Sequence, residues 1–169
     1  GVIKKVQTKI RGLMSRKHSF KLTLSNNVTE KQGINYLIEE QTGFFKIDKE
    51  MKKELLDRVN APYSFLQSFD LVFIPKLKGV QFKKDFIETH LDEILFIELK
   101  TTKKYLPENP KGFFFGETEN EFNFGKMLGG KFRFCFVCLN EKSPSYAMLT
   151  IEEVEKIIRN KRIQFQINL

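Results

Sequence analysis

The stretch ILFIELKTT, residues 94–102, constrains the fold more than any other part of this sequence. Its apolar residues predict a buried β-strand. Side chains two apart on a strand point to the same face, so Glu98 and Lys100 share one face, and the apolar residues at positions 95, 97 and 99 take the other. Burying an unpaired charge costs free energy. The two charges therefore predict either a structural ion pair at the end of the strand or a site that holds a ligand.

The order of the predicted elements indicates a mixed α/β fold, a mixed β-sheet flanked by helices. Helix starts are marked by capping residues and helix ends by glycine or proline. In chain order we expect a helix from Thr29 to Gly43, a helix from Asp48, strands at 69–74, 80–87 and 94–101, a helix from Thr118, strands at 131–139 and 145–149, a helix from Thr150, and an edge strand at 162–167.

No internal repeat, low-complexity tract or linker divides the 169 residues, so we expect a single domain over 1–169. Within it we distinguish a basic N-terminal segment (1–28), a core (48–139) and a C-terminal β-α-β extension (145–169). The net charge of +8 favours anionic partners, nucleic acid first and a membrane surface second. No run is long enough to cross a bilayer and no signal peptide opens the chain, so we expect no membrane partner.

Cys135 and Cys138 have the C-x-x-C spacing of metal and redox sites. A structural zinc needs about four ligands, and the two histidines, His18 and His90, lie far away in the sequence without ligand spacing. On a strand the two cysteines would point to opposite faces. We therefore expect small buried residues in a reducing, cytoplasmic compartment.

Asp70, on the first core strand, joins Glu98 and Lys100 as a candidate catalytic set. Hydrolysis of a phosphodiester needs an electrophile for the phosphoryl oxygens and a source of hydroxide near neutral pH, and a divalent metal provides both. Hard cations prefer carboxylate and carbonyl oxygens, which Asp70, Glu98 and the Leu99 backbone carbonyl would provide. A lysine beside the metal can orient or help deprotonate the attacking water.

Asp70 followed by Glu98-Leu99-Lys100 resembles the PD-(D/E)XK nuclease superfamily, which has the restriction-endonuclease-like fold. The core order of that family, helix, three strands, helix, strand, is similar to the order predicted here over 48–139. The stretch from Glu98 through Thr101-Thr102 to Thr118-Glu119-Asn120-Glu121 is similar to nuclease-like modules attached to McrBC-type or helicase restriction proteins. Two features depart from the pattern: Phe69 rather than proline precedes Asp70, and the loop between Lys100 and the next helix is long.

The resemblance implies a metal-dependent DNA endonuclease with a restriction or defence role, using Mg²⁺ with Mn²⁺ as a substitute. Asp70, Glu98 and the Leu99 carbonyl would hold the metal, and Lys100 would position water. A further acid would come from Glu54 on the helix before the first strand, or from Glu121, which as the third residue of a capping box also has a structural role. The residues expected to contact nucleic acid are Thr101, Thr102, Lys103, Lys104 and Asn120.

Two other functions stay open at this point. The chain could be a non-catalytic DNA-binding module of a larger restriction or DNA-processing complex, or a structural domain whose basic surface meets an acidic partner. A homodimer would suit an enzyme that cuts both strands, because two strands need two active sites.

Overall fold

A five-stranded mixed β-sheet forms the centre of the protein. The computed structural model describes residues 28–39 and 43–161. The sheet order is β1-β2-β3-β4-β5, with antiparallel pairs throughout except for β3 and β4, which are parallel. The strands are β1 (Phe44–Lys46), β2 (Leu71–Phe73), β3 (Leu95–Thr102), β4 (Phe132–Cys138) and β5 (Ser145–Leu149).

Helices cover both faces of this sheet, which confirms the predicted mixed α/β class. They are α1 (28–39), α2 (Lys49–Arg58), α3 (Phe86–Thr89), α4 (Glu119–Leu128) and α5 (Ile151–Ile157). Asp48 caps α2 by accepting a hydrogen bond from the Met51 N–H, and Thr118 and Thr150 form the expected capping boxes. None of the helices in the described ranges has both the length and the apolar composition that crossing a bilayer requires.

Two hydrophobic cores lie on opposite faces of β3. On one face, Leu55 of α2, Phe124 of α4 and Val154 of α5 pack with Phe96 and Phe134 of the sheet. Burial of such side chains contributes about 1.5–3 kcal/mol each. Glu98 and Lys100 follow Phe96 on this face at the predicted spacing of two.

The other core confirms the predicted alternation of β3, because Leu95, Ile97 and Leu99 all belong to it. Leu37 of α1 is buried against them. The helix approaches the strand closely at Gly33, where a Cβ atom would lie 2.3 Å from the Thr101 Cγ2. With both faces covered, β3 reads as a nearly continuous apolar run.

One predicted strand is wrong, and the sequence pattern does not predict one strand that the structure has. Residues 80–87 form no strand; the chain there is irregular and enters α3 at Phe86, and the Phe82 ring packs at 5.9 Å from the Phe86 ring. The strand missing from the predicted sheet is β1, which follows Gly43 directly and buries Phe44 in one core and Phe45 in the other.

Two elements that pack with the sheet, α1 and β1, precede residue 48, where the predicted core begins. Residue 28 is already helical, so Thr29 lies inside α1 rather than capping it. The predicted basic segment up to residue 27 and the edge strand at 162–167 lie outside the described residues.

Candidate functional site

The structure brings Asp70, Glu98 and Lys100 together at the carboxyl end of β3. Asp70 precedes β2 by one residue, and its N–H donates to the Ile97 carbonyl at 2.8 Å. Because Leu71 pairs with Ile97, extending the antiparallel register by one step sets Asp70 beside Glu98. The Asp70 Oδ2 accepts a hydrogen bond from the Leu99 N–H at 2.8 Å. Strand pairing therefore places the two predicted metal-binding carboxylates next to each other.

Lys100 lies between two buried carboxylates. Its Nζ is 2.9 Å from the Glu98 Oε1 and 3.3 Å from the Glu121 Oε2, and the side chain is only 10% exposed. The same Glu121 oxygen accepts the Thr118 N–H at 2.7 Å, which closes the capping box of α4. Glu121 thus has both roles considered for it at once, a helix cap and a contact within the site.

The second oxygen of Glu98 accepts no hydrogen bond from an N–H or hydroxyl group in the described part of the chain, and the carboxyl group interacts with that of Asp70. The side chain is 6% exposed, and its Oε2 atom is buried. Burial, and after it the charge of Asp70, raises the pKa of Glu98 well above its ordinary value, although Lys100 acts in the opposite direction. Leaving a buried carboxylate oxygen unpaired is costly, and either protonation, in line with the raised pKa, or a bound cation offsets that cost.

Asp70 has a similar environment. Burial raises its pKa, and the hydrogen bond from Leu99 and the charges of Lys52 and Lys100 only partly counteract this. The Leu99 carbonyl lies on the same side of β3 as the Leu99 N–H, since both groups of one residue point to the same neighbouring strand. It is therefore directed toward the side on which Asp70 lies, as the predicted ligand set requires.

Lys52 of α2 is a member of the site that the sequence interpretation missed. Its Nζ donates to the Leu66 and Phe69 carbonyls and lies 4.9 Å from the centre of the Phe69 ring. Burial lowers its pKa, against the charges of Asp70, Glu98 and Glu30. A signal existed in the sequence, because Lys52 precedes Leu55 and Leu56 by three and four residues and so shares their core-facing side of the helix.

The helix glutamate near Asp70 is Glu30 of α1, not Glu54. Burial, and then the charge of Asp70, raises the pKa of Glu30, while Lys52 and Lys100 lower it. Glu54 instead lies 3.3 Å from the Lys84 Nζ and 4.0 Å from an Arg58 nitrogen, in a separate group of ion pairs. The structure does not bring Glu54 together with Glu98.

Glu117, immediately before the cap of α4, is a further acid that the sequence interpretation missed. Its Oε1 is buried and has no hydrogen-bond partner among the described residues. Burial raises its pKa to about 8, helped by the charge of Glu121 and opposed by Lys100 and Lys161. A carboxyl group in this environment is largely protonated at neutral pH.

We name the group of acidic and basic side chains around Glu98 and Lys100 the strand-end cluster. It contains more acids than bases, which accounts for part of the raised pKa values of its carboxyl groups. Among residues 28–39 and 43–161, no three His, Cys, Asp or Glu side chains are arranged to hold a metal. The groups suited to a hard cation are thus two carboxylates and the Leu99 carbonyl. The members of the cluster are Glu30, Lys52, Asp70, Glu98, Lys100, Glu117 and Glu121.

The residues predicted to contact nucleic acid differ in where they lie relative to this cluster. Thr102, Lys103 and Lys104 continue from the end of β3, and their backbone is held by a hydrogen bond from the Lys104 N–H to the Thr102 Oγ1 and by another from Asn140 to the Lys103 carbonyl. The ammonium groups of both lysines are outside every salt bridge found in the described part of the chain. Thr101 points toward Gly33 and α1, on the face opposite Lys100.

Asn120 is exposed in the first turn of α4. The two cysteines are buried and unpaired. Cys135 packs in the core beneath α1, and the Cys138 thiol donates to the Lys104 carbonyl.

Comparison of the chain with family models, with curated proteins and with solved structures finds no match. The geometry and chemistry of the strand-end cluster are therefore the basis on which a function can be inferred.

Proposed function

We propose that this protein is a metal-dependent nuclease of the PD-(D/E)XK type that hydrolyses phosphodiester bonds in DNA. One observation carries the proposal: Asp70 and Glu98 meet beside Lys100, and a buried oxygen of Glu98 has no hydrogen-bond donor among residues 28–39 and 43–161. Perturbed, incompletely satisfied ionisable groups of this kind are concentrated at functional sites.

The architecture supports the same proposal. The order α1, β1, β2, β3, α4, β4 is the helix, three strands, helix and strand that the resemblance implies, with α2 and α3 in the connections between strands. The Glu-x-Lys motif lies on the third of these strands and the aspartate at the start of the second. On this basis we propose a restriction-endonuclease-like fold.

Asp70, Glu98 and the Leu99 carbonyl would hold the metal. Mg²⁺, or Mn²⁺ in its place, would polarise a phosphoryl oxygen and lower the pKa of bound water when present at this position. The Glu98 oxygen that has no hydrogen-bond donor within the described residues fits such an ion, because a carboxylate oxygen is the ligand that hard cations prefer.

Lys100 acts as a cation in this proposal and not as a base. Burial alone would lower its pKa, but the charges of Glu98 and Glu121 outweigh burial and raise it. A protonated lysine donates hydrogen bonds, so it can orient the attacking water and offset negative charge that grows on the phosphate. Glu121 fixes the position of the lysine through its 3.3 Å contact.

The test is cleavage of supercoiled plasmid DNA with Mg²⁺. We expect Glu98→Gln and Lys100→Met to lower the rate by about 10²-fold or more, since each removes a group that acts on the reacting phosphate. Glu54→Gln and Arg58→Met are matched controls, because they remove the same charges from ion pairs outside the site. Retained circular dichroism would show that the variants fold, and cleavage by Glu98→Gln at the wild-type rate would reject the proposal.

A non-catalytic DNA-binding module is the second candidate. It is favoured by the engagement of Asp70 and Lys100 in hydrogen bonds within the protein, and by the lack of three ligating side chains in the part of the chain described. Salt-sensitive DNA binding that persists in Glu98→Gln, with no cutting by the wild type, would select this alternative. A restriction role, a homodimer and attachment to a larger restriction complex stay predictions of the resemblance.

A further inference from the structure

Phe114 is the most exposed large hydrophobic side chain in the part of the chain that the structure describes. It is 87% exposed. Single exposed apolar residues are common on protein surfaces, so exposure alone assigns no role. What distinguishes Phe114 is how its neighbours are held and where they lie.

The residues on either side of Phe114 are anchored on the sheet. The Phe113 ring lies 5.0 Å from the Phe136 ring, and the Phe115 ring lies 5.1 Å from Phe136 and 6.2 Å from Phe134. With both flanking rings packed against β4, the side chain between them is directed to solvent. The exposure of Phe114 is therefore fixed by packing rather than by a loose loop.

Phe114 is adjacent in the chain to Phe115, whose ring lies near the strand-end cluster. The centre of the Phe115 ring is 6.0 Å from the Lys100 Nζ, and consecutive Cα atoms are only roughly 3.8 Å apart. The same connection between β3 and α4 begins with Lys103 and Lys104, whose ammonium groups are outside every salt bridge within 28–39 and 43–161. An exposed aromatic ring and cationic side chains on one loop are the combination that binds single-stranded nucleic acid.

We propose that Phe114 stacks on an unpaired nucleobase beside the phosphate to be cut, so that the substrate is single-stranded or locally unpaired nucleic acid. This proposal rests on the proposed function and specifies its substrate class. In a duplex each base is already stacked on its neighbours, and insertion of a ring between them requires unstacking. An unpaired base offers its face without that cost, and aromatic stacking accepts any base.

The chain contains no tryptophan, so Phe114→Trp introduces a single fluorescent probe at the proposed stacking position. We would titrate this variant in EDTA, where no cleavage occurs, with a thymidine homopolymer of about 20 nucleotides and with a duplex of the same phosphate content. The single strand should quench the tryptophan emission and the duplex should not. Equal quenching by both, or binding of the single strand with no change in emission, would overturn the proposal.

Affinity separates stacking from general hydrophobic contact. Phe114→Leu keeps an apolar side chain without a ring, and we expect it to bind the labelled single strand about tenfold more weakly, while Phe114→Trp binds as well as the wild type. Tyr63→Leu is the control, because it removes a 48% exposed aromatic ring elsewhere on the surface. Wild-type affinity in Phe114→Leu, or no binding of the single strand at all, would overturn the proposal.

The two proposals fail separately. Binding of the single strand that depends on Phe114, with no cleavage when Mg²⁺ is added, would reject the nuclease and retain the stacking site. Cleavage by the wild type, together with full affinity of Phe114→Leu for the single strand, would reject the stacking site and retain the nuclease.

Discussion

Two groups of ion pairs in this protein differ in a way that separates a site from ordinary surface. The α2–α3 surface cluster consists of Glu54, Arg58, Lys84 and Glu88. Its Arg58–Glu88 contact is 2.6 Å, shorter than the 2.9 Å between Lys100 and Glu98 in the strand-end cluster. Distance therefore does not distinguish the two groups.

Burial and charge balance do distinguish them. The members of the surface cluster are a quarter or more exposed, and each acid there has a base. In the strand-end cluster Glu98, Lys100 and Glu121 are nearly buried, and the acids outnumber the bases. Oxygens of Glu98 and Glu117 have no hydrogen-bond donor in the part of the chain that the structure describes. Exposed ion pairs contribute about 0–1 kcal/mol each to stability, so their presence does not indicate a functional site. Buried, unbalanced ionisable groups point to a role beyond stability.

Lys100→Met should produce the largest difference between the two clusters. It leaves Glu98 and Glu121 buried without their shared cation, and we expect a loss of about 3 kcal/mol in the free energy of unfolding. Arg58→Met in the surface cluster should cost less than about 1 kcal/mol. Urea unfolding of both variants at pH 7.5 measures the comparison, and equal losses would mean that burial does not separate the clusters as argued.

The sequence predicts those features of the strand-end cluster that local sequence patterns determine. Alternation along β3 places Glu98 and Lys100 on one face whatever the rest of the fold does, and the capping box at Thr118 fixes the start of α4. The motif also predicts that Asp70 lies beside Glu98. These features depend on residues close in sequence or on a recognisable spacing.

The other residues of the strand-end cluster are brought together only by the tertiary fold, which local sequence patterns do not reveal. The charge of Asp70 acts on Glu30 because α1 packs on β3 at Gly33, a contact that no helical period encodes. The sequence favours Glu54 because α2 precedes the first strand that the periodicity predicts, whereas β1 is too short to produce a periodic signal. Without β1, the pattern therefore indicates α2 rather than α1 as the helix that carries a glutamate near Asp70.

Glu117 should make stability depend on pH, in contrast to the balanced surface pairs. Burial raises its pKa from 4.5 to about 8, with Glu121 adding to the shift and Lys100 and Lys161 opposing it. Between these values the folded protein binds more protons than the unfolded chain, so this group lowers stability as pH rises from 4.5 to 8. Because the side chain is only half buried, solvent screening limits the effect to about 1–2 kcal/mol.

Glu117→Gln tests this dependence directly. The variant should be as stable as the wild type near pH 4, where the carboxyl group is protonated in both the folded and the unfolded protein. At pH 9 it should be more stable than the wild type by about 1–2 kcal/mol. Urea unfolding of both proteins across this range gives the difference. A constant difference at all pH values would show that Glu117 does not titrate in the expected window.

Glu98→Gln gives the smallest expected change, but its sign is the most informative. The amide keeps the shape of the side chain and can still accept the Lys100 hydrogen bond, while it removes a buried charge whose second oxygen has no hydrogen-bond donor among the described residues. We therefore expect a gain of about 1 kcal/mol in the free energy of unfolding, together with loss of cleavage. Glu54→Gln, which removes a well-paired carboxylate in the surface cluster, should instead lose up to about 0.5 kcal/mol and retain activity. Measured destabilisation of Glu98→Gln would mean that Glu98 and Lys100 form a net stabilising ion pair. The structural interpretation of the two charges in ILFIELKTT would then be the correct one.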